Sequence, residues 1–189
     1  AFDAMLDTEL LASVTQLIET DSFFEEMAED DETKAAVVEN LAEIYAPGSG
    51  AELAEQQQAS ILVAEIELNT TAASDVVDGF VNVMTEFLEE PPESGDAEGI
   101  AETLVTEAFA GVTADTFDET LNAILAAGEA YTFYGESLDD SGEVVAPENV
   151  NSEAIAQDVI VAIIISDIVD VDGDQPELLS VEELRSVVV

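Results

Sequence analysis

The chain of 189 residues has no cysteine, no histidine and no tryptophan, and only 2 basic side chains, Lys34 and Arg185. Each absence removes a class of chemistry. Without cysteine there is no disulfide staple, no thiolate nucleophile and no thiolate metal site. Without histidine the commonest general base and the commonest transition-metal ligand are gone. Without a basic surface nothing displaces counterions from phosphates, so nucleic-acid binding is excluded and an anionic membrane surface is disfavoured. No apolar run approaches the roughly 18 to 20 residues that span a bilayer; the run at Val159 to Ile165 is far shorter. A trypsin-like protease would find sites only after Lys34 and Arg185.

What is present is carboxylate. There are 45 acidic residues and a formal net charge of −43, against about 2 to 8 charges of either sign for an ordinary small domain. Hydrophobic residues make up 48%, so the chain can build a core and is not disordered by composition. Folding such a chain crowds like charges together. Salt relieves this, with a Debye length of about 8 Å at physiological ionic strength and about 3 Å at molar salt. Divalent cations bridge carboxylates, and protonation below about pH 4 to 5 neutralises them. The composition therefore predicts a saline, calcium-bearing or acidic setting. The chain opens at Ala1 rather than methionine, which fits a removed leader or a cut fragment. Adaptation to salt explains missing lysine better than missing arginine, whereas persistence among proteases explains both. Hence the expected location is extracellular or surface-associated, with the cytoplasm of a halophile as the alternative.

Helical periodicity recurs along the chain. Leu10, Val14, Leu17 and Ile18 share one face, and Ser22 to Glu25 reads as a capping box. Asp30 and Asp31 precede a stripe of Val37, Leu41, Ile44 and Tyr45, which Ala46-Pro47-Gly48-Ser49-Gly50 ends. A helix from about Ala51 to Leu68 shows Ile61, Ala64 and Leu68 as its apolar face, with Gln56-Gln57-Gln58 as a polar stretch and Asn69-Thr70-Thr71 as its stop. Val76, Phe80, Met84, Phe87 and Leu88 mark a fourth helix. The Pro/acidic linker at 91–96 divides an N-terminal helical half, 1–90, from a C-terminal half, 97–189, with acidic loops. In that second half Ile100, Leu104, Ala108 and Phe109 form a stripe. Thr116 to Glu119 reads as a second capping box before Phe117, Leu121, Ile124 and Leu125. Gly128 interrupts, Tyr131, Phe133 and Tyr134 concentrate aromatics expected in the core, and an acidic loop follows from Ser137 to Val150. Residues 151–169 are read as a buried helix, although the β-branched run inside them would also suit a buried strand. Ser180 to Glu183 caps a last helix ending in Val187-Val188-Val189. The expected fold is all-α: a bundle of about seven or eight helices, in one body or two subdomains.

One motif carries chemistry. Asp170-Val171-Asp172-Gly173-Asp174 alternates carboxylates on a tight turn, an arrangement that aims oxygens at one hard cation. It resembles the start of an EF-hand calcium loop, and Ser180 to Leu184 resembles its end. The resemblance, which covers about 15 residues, implies Asp170, Asp172 and Asp174 as the first ligands of Ca2+ and Glu182 or Glu183 as the bidentate one. Gln175 stands where that family has glycine, and the closing glutamate comes one or two residues late. The Ser137 to Glu148 stretch has a fainter EF-like register through Asp139, Ser141, Gly142 and Val144. Asn69-Thr70-Thr71 is an N-glycosylation sequon, making Asn69 a glycan acceptor candidate. There is no glycine-rich phosphate loop and no Ser/His/Asp set, and carboxylate pairs carry no information where carboxylates are everywhere. The expectation is a non-enzymatic, extracellular structural subunit (filament, coat, capsid or surface layer), homo-oligomeric or polymeric and partnered by cations. The alternatives are a calcium-binding helical module and a salt-adapted intracellular protein of a halophile.

Overall fold

A computed structural model describes residues 7–18, 20, 22–89, 97–141, 159–161, 169–170 and 179–188. The fold is all-α. In chain order the helices are α1 (Asp7–Ile18), α2 (Phe23–Glu29), α3 (Asp31–Tyr45), α4 (Leu53–Asn69), α5 (Ala73–Glu89), α6 (Ala97–Ala108), α7 (Phe117–Ser141) and α8 (Val181–Val188). Residues 159–161 are also helical. The only extended pairing among the described residues is a parallel two-residue bridge, Val169 with Leu179 and Asp170 with Ser180.

α4 is the hub. It packs most extensively against α7, next against α3, and also against α1 and α5. Ala59, Ile61, Leu62, Val63, Ala64, Ile66 and Leu68 are all buried, so the helix is apolar on every side rather than on the single face its spacing suggests. A helix enclosed on all sides has no need of a polar face. Its glutamines are not a solvated stretch either. Gln57 is fully buried, and its Nε2 donates to Ser137 Oγ of α7 at 2.9 Å. Gln58 donates to Thr15 Oγ1 of α1 at 2.7 Å, and Gln56 to the Ala51 carbonyl at 2.8 Å. Three consecutive amides thus tie one helix in three directions.

α7 corrects the sequence reading most. Gly128 does not interrupt it, and the helix runs on for 25 residues to Ser141, about 37 Å at 1.5 Å per residue. Phe117, Leu121, Ile124, Ala127 and Tyr131 form an unbroken buried stripe whose packing holds Gly128 helical. Ser137 to Ser141, read as the start of an acidic loop, are helical, and Ser137 is buried. The faint EF-like register read there runs on through Gly142, Val144 and Glu148, which lie outside the described residues. The aromatics divide: Tyr131 is buried, while Phe133 meets Tyr45 of α3 with ring centroids 5.0 Å apart.

Helix termini follow local chemistry in part. Asp30 caps α3 by accepting the Thr33 N–H at 3.1 Å and the Thr33 hydroxyl at 2.8 Å. Those bonds hold its carboxyl below the usual range. Gly48 and Gly50, at φ of 86° and 81°, turn the chain after α3 in a region other residues avoid. The Ser22 capping box does not form: Ser22 sits at the N-cap of α2 with helical backbone angles and no side-chain bond. The Thr116 hydroxyl faces back to accept the Thr113 N–H at 3.1 Å. On α5, Val76, Val77, Phe80 and Val83 are buried, but Met84 and Leu88 leave the stripe and face solvent. One continuous cluster of buried side chains runs from Leu10 to Leu184 and draws on both sides of the Pro/acidic segment. The linker at 91–96 itself, and the helix-or-strand reading of residues 151–158 and 162–168, lie outside the described residues.

Candidate functional site

Only two cations stand against 45 carboxylates, and both are committed to tertiary contacts. Lys34, in the first turn of α3, pairs with Glu67 near the end of α4 at 2.8 Å, with side chains only 16% and 15% exposed. Packing of α3 on α4 covers it. Arg185 of α8 donates to Asp118 at the start of α7, and its guanidinium lies 4.6 Å from the centroid of the Phe117 ring. Neither pairing was legible in the sequence, because each joins residues far apart in the chain. Glu67 and Glu129 together with burial raise the Tyr45 hydroxyl above its usual value, burial being the largest cause. Burial alone does the same to Tyr134.

The EF-like motif is only partly within view. The backbone of Asp170 pairs with that of Ser180, so the two ends of the 170–180 segment are side by side. Glu182 and Glu183 are exposed in the first turn of α8. Asp172 and Asp174 lie outside the described residues. Among the described residues no three acidic side chains are gathered closely enough to hold a metal ion. Asn69 is exposed as the last residue of α4, its amide donating to the Glu65 carbonyl at 2.9 Å and to the Glu65 carboxylate at 3.2 Å.

Two surface features were not anticipated. Met84 and Leu88, one turn apart on α5, are 41% and 81% exposed. A cavity of about 510 Å³ opens where α1, α2 and α3 meet, walled by Leu17, Phe23 and Met27 with Glu26 and Asp30 beside them. Leu17, read from its spacing on one face with Leu10 and Val14, forms part of this wall and is 38% exposed. Val188, at the end of α8, packs against the core. No described helix is long and apolar enough to cross a membrane. Compared with family models, with curated proteins and with solved structures, the chain matches none of them.

Proposed function

We propose that this chain is a structural, self-assembling subunit of an extracellular filament, coat, capsid or surface layer, with its carboxylate surface managed by cations. The observation that carries the reading is the Met84–Leu88 strip. On a chain of net charge −43, two large apolar side chains one turn apart stand in solvent. Burying them against a second copy would remove apolar area worth about 25 cal/mol per Å². Copies of like charge approach only when salt or divalent cations screen them. In this reading the helices gather as a bundle around α4, one body or two, and the near-absence of basic residues protects the assembly from trypsin-like proteases.

The test is sedimentation velocity of the wild-type chain and of Leu88→Glu in low salt, in molar sodium chloride and with calcium chloride. Cation-dependent growth in mass for the wild type, and a monomer throughout for Leu88→Glu, is the expected outcome. A wild-type monomer under every condition would overturn the proposal.

A second reading, a calcium-binding helical module, draws support from the bridge between Asp170 and Ser180. That bridge brings together the two ends of the stretch that resembles an EF-hand loop. Its expected signature is micromolar calcium binding by calorimetry, lost in the double variant Asp170→Ala, Asp172→Ala.

A further inference from the structure

The cavity between α1, α2 and α3 sets apolar side chains, Leu17, Phe23 and Met27, beside hydroxyl and carboxylate residues. Its volume, about 510 Å³, falls in the usual range for small-molecule sites, roughly 300 to 1,000 Å³. Phe23 and Met27 are buried core residues whose surfaces line it, and Leu17 contributes a half-open apolar wall. Glu26 and Asp30, one turn apart, bring two carboxylates to the same space. Asp30, an exposed residue, accepts the Thr33 N–H and hydroxyl and keeps acceptor capacity for a ligand. The Glu26 carboxylate makes no hydrogen bond or ion pair with the described residues, and neither basic side chain of the protein reaches the cavity, since Lys34 is held by Glu67 and Arg185 by Asp118.

We propose that this cavity binds a small organic cation, an ammonium carrying an apolar arm. Charge excludes anions from a chain at −43. A hard metal ion is a poor occupant, because it needs six to eight oxygens where this cavity offers hydrocarbon on one side. An ammonium with an aryl or alkyl arm satisfies both halves: the cation faces Glu26 and Asp30, and the arm lies on Leu17, Phe23 and Met27, where an aromatic ring and a thioether are favourable partners.

The test titrates the full-length chain with benzylammonium chloride at constant ionic strength and follows binding by calorimetry. Benzyl alcohol serves as the uncharged analogue and ammonium chloride as the armless one. One saturable site is expected, with a dissociation constant on the order of 1 mM for so small a ligand, at least several-fold tighter than for either analogue. Glu26→Gln is expected to weaken it up to about fivefold, the reach of one exposed ion pair, while Glu129→Gln, the same charge change outside the cavity, leaves it unaltered. The proposal is overturned by absence of saturable binding, by equal binding of benzyl alcohol, or by equal effects of the two variants. That last result would assign the attraction to the general field of the protein.

Discussion

Replacing Lys34 by methionine keeps the stem and removes the ammonium from a half-buried contact. At 2.8 Å and an effective dielectric of about 20, the gross attraction between Lys34 and Glu67 is roughly 6 kcal/mol, most of it offset by desolvation of both groups. Exposed pairs contribute about 0 to 1 kcal/mol, and breaking a fully buried pair costs about 3 to 5 kcal/mol. With side chains 16% and 15% exposed, a cost of about 2 kcal/mol is expected, or about 4 to 8 °C in Tm for a chain of this size. The reverse substitution, Glu67→Gln, is expected to cost only about half as much. Its stranded ammonium still has Asp30 and Asp31 one turn away on the same helix, whereas Lys34→Met strands a carboxylate in a protein that is already anionic everywhere. Chemical denaturation of both single variants and the double variant measures the coupling, expected at about 1 kcal/mol. Additivity within about 0.5 kcal/mol, or a Glu67→Gln variant less stable than Lys34→Met, would refute this account of how the charge is balanced.

Three further outcomes follow from the packing. Ser137→Ala removes the acceptor for the buried Gln57 amide and is expected to cost about 1 to 3 kcal/mol; urea denaturation should also show that Gln57→Leu added to it restores part of the loss. Gly79→Ala gains about 1 kcal/mol of helix propensity, yet its new Cβ would stand 2.9 Å from the Ala108 backbone. Overpacking of that kind costs about 1 to 3 kcal/mol, so a thermal melt should show net destabilisation, and a raised Tm would disprove the close approach of α5 and α6. Tyr45 and Tyr134 both titrate above their ordinary value of 10.0 in the folded chain. The unfolded chain therefore releases these protons first, so the stabilisation is full below pH 10 and drains as pH rises through and beyond it. Tyr45→Phe should flatten that alkaline loss in denaturation curves, and an unchanged slope would contradict the burial of its hydroxyl.

The amphipathic stripes were legible wherever a helix keeps one wet face. Val37, Leu41 and Ile44 on α3 are buried as their spacing implies, because a helix on the surface of a core must sort its residues by side. Charge was legible too: a net −43 is a property of composition and survives any folding. What the pattern hid is what depends on a neighbour. α4 is enclosed, so a one-face reading failed and Gln57 became a tie to α7 rather than a wet side chain. Gly128 reads as a break by local propensity, yet the buried stripe on either side carries the helix through it. Capping chemistry at Ser22 is locally plausible, but its backbone sits in the helical region, where the side chain caps nothing. Sequence alone determined that this protein is helical, hyperacidic and without histidine or thiol chemistry, since those follow from residue type and short-range spacing. Tertiary structure decided where its two cations are spent, which apolar side chains stay in solvent and where a cavity opens, since each depends on groups brought together from distant parts of the chain.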